Sequence, residues 1–275
     1  MIQINNIKIA NHLPLILIAG PCVIENEYIT LHTADKIKKI TEELNIPYIF
    51  KSSYKKANRT SIKSFTGLEF EQALKILEKV REEFSLTILT DVHSENEIKI
   101  VSEVVDVIQI PAFLCRQTEL LLEAGKTGKA VNVKKGQFLA PDDMKYVADK
   151  IESTGNKKIL LTERGTTFGY HNLIVDMRSL EIMKQFNYPV IMDATHSVQI
   201  PGQGGVSGGE RKYIPALAKA AVAVGIAGLF LEVHPEPEKA LSDAASQFPL
   251  NELKNLLSIV KRIDEFVKNE QINYR

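Results

Sequence analysis

The chemistry of this chain is first visible in five positive charges that stand at or shortly after short apolar segments. Arginine and lysine side chains bind phosphate and carboxylate groups through charge-assisted hydrogen bonds. The set comprises Lys51, Lys56, Arg59, Lys134 and Arg164. Any one of them alone is as readily a solvated surface charge. Gathered at one site they would repel each other unless an anion neutralised them, so the set predicts a substrate with several negative charges.

A second set of residues combines one thiol, one imidazole and two carboxylates. Its members are Cys22, His196, Glu232 and Asp243. This mixture of donors suits a divalent transition metal such as Zn²⁺, Fe²⁺ or Mn²⁺. Taken alone, Cys22 is more often a small buried apolar residue and His196 a hydrogen-bonded structural one, and spacing by itself leaves that interpretation open. Cys115 has no comparable companions, and we interpret it as structural.

Both sets follow segments rich in apolar and β-branched residues, and longer segments with helical periodicity lie between them. Segments that are apolar on both faces are typical of parallel strands covered by helices. The predicted strands are residues 15–20, 47–52, 87–92, 105–110, 130–135, 158–163, 189–194 and 228–233. The clearest helical patterns are residues 29–44, 67–84 and 213–225. Such alternation gives either a doubly wound sheet or a barrel.

Eight repeats in a chain of 275 residues favour an α/β fold with a single (β/α)8 TIM barrel domain over residues 1–275. A doubly wound sheet usually has a glycine-rich turn after its first strand, whereas the turn here reads AGPCVIE. Within residues 1–12, IQI and IKI flank two asparagines. This pattern predicts a short N-terminal β-hairpin that covers the N-terminal end of the barrel.

In a barrel of this kind, function concentrates at the rim formed by the C-terminal ends of the strands. Strands seven, eight and one are neighbours in a closed barrel, which would bring the members of the thiol, imidazole and carboxylate set together. Asp91, His93 and His234 reach the same rim and are candidates for proton transfer. The glycine-rich residues 201–211 lack the Lys-Ser/Thr ending of a P-loop, and we expect a mobile loop over the site.

Composition excludes several classes of protein. Lys plus Arg equals Asp plus Glu at 34 each, so we expect no nucleic-acid partner. The longest apolar runs, such as residues 13–20, are far shorter than the roughly 18 residues of a membrane span, so we expect no membrane partner. The N-terminal residues lack a basic leader and a cleavage site, and two cysteines form no disulfide framework. These features favour a cytoplasmic location.

Six segments together resemble 3-deoxy-D-manno-octulosonate 8-phosphate synthase. They are KSSYKKANRTS, IQIPAFLCRQT, VNVKKGQFLAP, LTERGTTFGY, DATHSVQIPG and EVHPEPEKALSD, and the resemblance extends from about Ile18 to Pro249. It implies a cytoplasmic (β/α)8 barrel, usually a homotetramer. Such enzymes condense phosphoenolpyruvate with D-arabinose 5-phosphate and water and release phosphate, on the way to the lipopolysaccharide sugar Kdo.

The resemblance also implies roles for individual residues. Phosphoenolpyruvate would be held by Lys51, Ser53, Lys56, Gln109, Lys134 and Arg164. The pentose phosphate would be held by Asn58, Arg59 and Thr60, with Arg116 reaching in from a neighbouring subunit. The family usually has serine where this chain has Thr60, and threonine retains the hydroxyl. The catalytic candidates are Lys51, Asn58, Asp91, His93 and His234.

Members of this family divide by the residue that stands at the position of Cys22. Metal-dependent enzymes have cysteine there, and metal-independent ones have asparagine. Cys22 therefore implies that this chain binds one divalent metal ion, such as Zn²⁺, Fe²⁺ or Mn²⁺, through the thiol, imidazole and carboxylate set.

Two alternatives stay open at this point. The first is 3-deoxy-D-arabino-heptulosonate 7-phosphate synthase, a related barrel that uses erythrose 4-phosphate. That enzyme resembles Lys-Pro-Arg-Thr/Ser in the sugar-phosphate segment, whereas this chain has Lys56-Ala57-Asn58-Arg59. The amide of Asn58 can meet an additional sugar hydroxyl, which favours the longer aldehyde. The second alternative is a catalytically inactive barrel that binds anions as a sensor.

Overall fold

The computed structural model describes residues 1–58, 61–62, 64–201 and 208–270, and within these ranges eight parallel strands form a closed barrel. We number them β1 (Ile16–Gly20), β2 (Tyr48–Lys51), β3 (Thr87–Asp91), β4 (Val107–Ile110), β5 (Ala130–Lys134), β6 (Ile159–Glu163), β7 (Val190–Asp193) and β8 (Gly228–His234). Strand β8 pairs with both β7 and β1, which closes the barrel. Every strand is buried along its whole length, and the predicted (β/α)8 architecture is confirmed.

Helices cover the outside of the barrel. They are α1 (Glu27–Glu43), α2 (Phe70–Phe84), α3 (Glu95–Val104), α4 (Thr118–Lys126), α5 (Met144–Glu152), α6 (Arg178–Lys184), α7 (Ile214–Ala223) and α8 (Leu250–Glu270). Helix α1 begins at Asn26, whose Oδ1 accepts a hydrogen bond from the backbone N–H of Ile29 at 2.9 Å. In α2 the buried residues recur at helical spacing and face the strands. No helix in the described ranges is long and apolar enough to cross a membrane.

The predicted N-terminal hairpin is also confirmed. Its strands, Ile2–Ile4 and Ile7–Ile9, pair antiparallel, and Asn5 adopts a left-handed φ of 51° in the turn. Its four isoleucines pack against inward-facing residues of the barrel strands, among them Leu160 and Phe230. Asn5 Nδ2 donates to Thr87 Oγ1 at 3.1 Å. The hairpin therefore closes the N-terminal end of the barrel and keeps water out of its core.

The loops at the opposite end contain short strands that the sequence did not predict. Thr166–Thr167 pairs with Leu173–Ile174, and Gln199–Ile200 pairs with Gly208–Gly209. Within residues 201–211, where we expect a mobile loop, Gly208–Gly209 form one of these strands. Residues 202–207 of that loop lie outside the described residues, as do the predicted substrate residues Arg59 and Thr60.

Strands β1 and β2 approach unusually closely at Gly20. A Cβ atom there would lie 2.0 Å from the carbonyl oxygen of Lys51, so this position accepts only glycine. The close approach places the residues after β1 against the end of β2. As a result, Lys51 Nζ can donate to the carbonyl oxygen of Cys22 at 3.1 Å.

Candidate active site

A cavity of about 570 Å³ opens at the C-terminal end of the barrel. Its lining includes predicted site residues from four separate loops: Lys56, Asn58, Arg164, His196 and Asp243. Phe65 and Phe113 contribute apolar surface. A polar cavity at this end of a barrel is the usual position of an active site in this fold.

Three of the four predicted metal ligands meet beside this cavity. Cys22, Glu232 and Asp243 each offer one donor atom, and these atoms lie within 4.8 Å of one another. Cys22 Sγ lies 3.3 Å from Asp243 Oδ2. Strand β1 positions the cysteine, β8 positions Glu232, and the loop after β8 positions Asp243, which adopts a left-handed φ of 49°. The first and last strands are neighbours, as predicted, and this adjacency brings the three groups together.

His196, the fourth predicted ligand, contacts this group from β7. Its Nε2 lies 3.7 Å from Glu232 Oε1. Its Nδ1 lies 2.7 Å from Asp193 Oδ2, and its backbone N–H donates to Asp193 Oδ1 at 2.9 Å. A carboxylate that holds one imidazole nitrogen fixes the ring and turns the other nitrogen toward a ligand, as in many metal sites. Asp193 therefore orients His196 toward Glu232.

The donor set fits a divalent cation. Glu232 is fully buried, and among the described residues its Oε2 has no hydrogen-bond partner. Burial, and next the nearby charge of Glu232, raise the pKa of the Cys22 thiol well above its ordinary value. A bound cation would favour the thiolate and would supply the missing partner of Glu232. A thiol and two carboxylates gathered without a cation would instead repel as they ionise.

Lysine side chains already contact the carboxylates of this region. Lys51 Nζ donates to Glu232 Oε1 at 2.9 Å and to Ser53 Oγ at 3.0 Å, and Lys56 Nζ lies 3.7 Å from Glu232 Oε1. Burial by itself would raise the pKa of Glu232, but Lys51 and Lys56 more than offset it and hold that pKa well below the ordinary value. Glu232 is therefore an anion that can serve as a ligand.

Lys134 pairs with Asp193 and lies 3.4 Å from His196 Nδ1. Its Nζ also stands 3.5 Å from the centroid of the Phe230 ring. Burial lowers the pKa of Lys134 to about 8, although Asp193 opposes the shift. The expectation that this lysine is neutralised only by a bound anion is thus wrong, because Asp193 neutralises it within the protein.

Arg164 is a buried cation that forms no ion pair with a carboxylate among the described residues. Its side chain is buried, and its Nη2 donates to the neutral amide oxygen of Gln199 at 2.9 Å. Its Nη1 has no partner within the described ranges. Burial lowers the pKa of Arg164, which means that the fold disfavours its charged form. A buried guanidinium with an unpartnered N–H group, lining a cavity, is suited to bind an anion.

Three further predicted residues occupy different positions. Gln109 Oε1 accepts a hydrogen bond from Asn132 Nδ2 at 3.0 Å, which fixes the orientation of the buried Gln109 amide. Asn58 is exposed and lines the cavity. Arg116 is exposed and does not line the cavity of its own chain, so a substrate contact by Arg116 would have to be made in a neighbouring subunit.

Asp91 and His93 form a pair at the end of β3. His93 Nε2 lies 3.0 Å from Asp91 Oδ2, while Asp91 Oδ1 has no partner in the described part of the chain. The backbone N–H of His93 and the hydroxyl of Tyr54 both donate to Glu97 Oε2, at 2.9 and 2.7 Å. Burial would raise the pKa of Asp91, but the hydrogen bond to His93 and the nearby Lys51 hold it far below its ordinary value.

His234 has a different environment. The backbone N–H of Glu236 donates to His234 Nδ1 at 3.0 Å, and His234 Nε2 lies 3.7 Å from Glu25 Oε1. It is buried and does not line the cavity. Within the described residues, no hydrogen bond or ion pair connects His234 to the other catalytic candidates.

Sequence reasoning did not single out three polar residues of the site. Gln199 holds Arg164, and Gln137 lines the cavity with a buried amide oxygen. Gln247 Oε1 accepts from the backbone N–H of Cys22 at 3.3 Å, while its Nε2 donates to the carbonyl oxygen of Ser242 at 2.9 Å. Glutamines in loops give no periodic signal, so only the folded arrangement identifies them.

A closed barrel with buried cations and a thiol, imidazole and carboxylate set at its C-terminal end defines the class of α/β-barrel enzymes that act on anionic substrates. The model of the DAHP synthetase I family matches residues 1–269, and the chain belongs to this family.

The curated relatives narrow the comparison. The protein is 56% identical to the 2-dehydro-3-deoxyphosphooctonate aldolase of Dichelobacter nodosus over 263 residues. This alignment covers 95% of each chain. It is also 56% identical to proteins of the same name from Geobacter metallireducens, over 268 residues, and Rickettsia typhi, over 271 residues. These alignments cover 97% and 98% of this chain and 98% and 99% of the relatives. The relatives confirm the resemblance predicted from the six sequence segments.

Proposed function

We propose that this protein is the enzyme that condenses phosphoenolpyruvate with D-arabinose 5-phosphate and water to give 3-deoxy-D-manno-octulosonate 8-phosphate and phosphate. It is a transferase that forms a carbon–carbon bond in the biosynthesis of the lipopolysaccharide sugar Kdo. The observation that carries the proposal is the buried Arg164 guanidinium, which faces the same cavity as His196 and Asp243. The name shared by relatives 56% identical over nearly the whole chain supports the same conclusion.

Phosphoenolpyruvate binds through its phosphate and carboxylate groups. The residues that hold it are Lys51, Ser53, Lys56, Gln109, Lys134 and Arg164. Arg164 makes the strongest contribution, since its Nη1 has no partner in the described residues and can donate directly to a substrate oxygen. Lys134 contributes positive charge from the end of β5, where it pairs with Asp193.

The pentose phosphate occupies the outer part of the cavity. Asn58 lines that part and donates to a sugar hydroxyl, while Arg59 and Thr60 bind the phosphate. Arg116 reaches the phosphate of a substrate held by a neighbouring subunit, in keeping with its exposed position. The aldehyde then lies between the phosphoenolpyruvate subsite and the thiol, imidazole and carboxylate set.

Cys22, His196, Glu232 and Asp243 hold one divalent metal ion. The unpartnered Glu232 Oε2 and the imidazole oriented by Asp193 support this proposal. When bound, such an ion would supply positive charge beside the oxygen atoms that react. Glu232 stays ionised because Lys51 and Lys56 lie against it, so its role as a ligand requires no proton loss at neutral pH.

The reaction begins with attack of C3 of phosphoenolpyruvate on the aldehyde carbon. The new C–C bond forms as the carbonyl electron pair moves to the aldehyde oxygen, which takes up a proton, and C2 becomes electron-poor. The fixed charges of Lys134 and Arg164 stabilise the substrate's anionic groups without reorganising during the reaction. Water then adds to C2 and loses a proton, which leaves a hydroxyl group on C2. The C–O bond to the phosphate breaks, phosphate leaves with its electron pair, and the hydroxyl loses its proton as the C2 ketone forms. Asp91 and His93 are the pair that can hold a proton during these steps.

The rival substrate is erythrose 4-phosphate. The family description names the heptulosonate synthase, but relatives at 52–56% identity share the octonate name, which does not favour that alternative. Phosphate release from phosphoenolpyruvate, measured with each aldehyde in turn, tests the proposal. We expect kcat/KM to be much higher with arabinose 5-phosphate, because unfilled polar groups in the site penalise the shorter sugar. Equal values would contradict the substrate assignment, and no turnover with either aldehyde would favour an anion sensor.

We also propose that residues 1–275 form one domain, that four copies assemble as a homotetramer, and that the enzyme acts in the cytoplasm. The exposed position of Arg116, outside the cavity of its own chain, supports the assembly. Sedimentation equilibrium of the full chain measures the number of subunits directly. A monomer with full activity would contradict the role of Arg116.

A further inference from the structure

A buried ion pair that the proposed reaction does not use lies next to the residues of the phosphoenolpyruvate subsite. Lys135 follows Lys134 at the end of β5, and Glu163 precedes Arg164 at the end of β6. Lys135 is 0% exposed and Glu163 is 1% exposed. Neither residue lines the cavity, and the Lys135 ammonium and both Glu163 carboxylate oxygens already have partners within the protein. Both are nevertheless bonded along the chain to the residues that we place in the anion site.

The carboxylate of Glu163 organises the turn that carries Arg164. Its Oε1 accepts hydrogen bonds from the backbone N–H groups of Arg164 at 2.8 Å and Gly165 at 2.7 Å. Its Oε2 accepts from Ser179 Oγ at 2.6 Å, which connects the turn to helix α6. A carboxylate with these contacts stays in place, and its negative charge lies close to the Arg164 guanidinium.

Lys135 supplies the counter-charge. Its Nζ lies 3.5 Å from Glu163 Oε1 and donates to Thr166 Oγ1 at 3.0 Å. It also donates to the carbonyl oxygens of Gly136 at 3.3 Å and Leu139 at 3.2 Å. One ammonium group thus joins the loops after β5 and β6. The other three partners of the Lys135 ammonium are neutral oxygens, so Glu163 is the carboxylate that its positive charge neutralises.

Without Lys135, Glu163 would be a buried carboxylate with no counter-charge. Arg164, the next residue in the chain, would then be the nearest candidate to neutralise it. A buried charge that loses its partner is costly, and the surrounding groups rearrange to replace that partner. Arg164 is suited to do so because its Nη1 has no partner in the described ranges. A guanidinium drawn toward Glu163 would be lost to the substrate.

We propose that Lys135 is a positioning residue for the anion site: by neutralising Glu163, it leaves the Arg164 guanidinium free to bind phosphoenolpyruvate. This inference rests on the proposed function only in the identity of the anion. It predicts that the charge of Lys135, and not merely its packing, controls affinity for that substrate. It also predicts that affinity is lost when the charge of Lys135 is removed and is restored when the charge of Glu163 is removed as well.

The test is calorimetric titration of phosphoenolpyruvate, without aldehyde, into the full-length protein and four variants. We expect Lys135→Met to weaken binding about tenfold or more and Lys135→Met/Glu163→Gln to return it to within about threefold of the wild type. Glu163→Gln alone keeps an oxygen acceptor for the turn and should bind as the wild type does or more tightly. Lys158→Met is the matched control, since that lysine is exposed at the other end of β6, and its affinity should not change.

Unchanged affinity in Lys135→Met would overturn the inference, as would a double variant that binds no better than Lys135→Met. If Lys135→Met does not fold, as judged by circular dichroism, Lys135→Met/Glu163→Gln and Glu163→Gln provide the test. Weakened binding in either of these two variants would refute the proposed role of the charge. Absence of phosphoenolpyruvate binding by the wild type would refute it as well. Turnover with arabinose 5-phosphate is measured separately, so a protein that binds phosphoenolpyruvate without using this aldehyde would contradict the proposed function alone.

Discussion

Replacement of Arg164 by alanine tests the anion site most sharply, because this cation binds no carboxylate within the described residues. Its guanidinium can offer at least two N–H groups to a desolvated anion. Charge-assisted hydrogen bonds contribute ~1.5 kcal/mol or more each, so the loss is about 3 kcal/mol, or roughly 150-fold in kcat/KM. We expect the loss in kcat/KM for phosphoenolpyruvate, measured by phosphate release with saturating arabinose 5-phosphate.

The same variant should not lose stability. Burial lowers the pKa of Arg164, so the folded protein disfavours its charge, and the partner that remains, Gln199, is neutral. The midpoint of thermal unfolding should therefore stay the same or rise. Arg178→Ala is the matched control, because that side chain is 87% exposed and pairs with Asp176 on the surface. Wild-type kcat/KM in Arg164→Ala, or an equal loss in Arg178→Ala, would contradict a specific role for Arg164 in anion binding.

Three further predictions concern other parts of the molecule. Lys134 has a pKa of about 8 and must be protonated to hold an anion, so kcat/KM should fall as the pH rises through about 8; a flat profile to pH 9.5 would contradict this. Ile9→Ala removes a fully buried side chain from the hairpin and should cost ~2–5 kcal/mol of unfolding free energy in a denaturant titration while leaving kcat unchanged; a cost below about 1 kcal/mol would show that the hairpin closes nothing. Chelation should abolish turnover and added Mn²⁺, Zn²⁺ or Fe²⁺ should restore it, whereas Cys22→Asn should lose metal by elemental analysis and keep part of the rate; full activity of a metal-free wild type would refute the metal site.

The sequence was sufficient to predict the barrel, because each strand is buried on both faces and therefore reads as a short run rich in apolar and β-branched residues. It also predicted that Cys22 and Glu232 would meet, since the first and last strands of a closed barrel are neighbours. The short strands of the loops, such as Gln199–Ile200 with Gly208–Gly209, were missed because two-residue pairings have no periodicity to detect.

The sequence could not predict which charged side chains pair with each other. Lys134 and Asp193 are 59 residues apart, and a list of strand ends does not tell which carboxylate a lysine reaches. For that reason we expected a bound substrate to neutralise the positive charges, whereas Lys134 already has a partner within the protein. Arg164 differs because the carboxylate beside it, Glu163, is held by its own turn and by Lys135. Only the positions of the side chains distinguish these cases.

A competition experiment measures directly which aldehyde the enzyme uses. Phosphoenolpyruvate is supplied with equal concentrations of arabinose 5-phosphate and erythrose 4-phosphate, and the products are separated by mass spectrometry. A site that hydrogen-bonds an additional hydroxyl should favour the longer sugar by about 100-fold or more. We therefore expect the eight-carbon acid phosphate to account for almost all of the product. A seven-carbon product in equal or greater amount would contradict the assignment of arabinose 5-phosphate as the substrate.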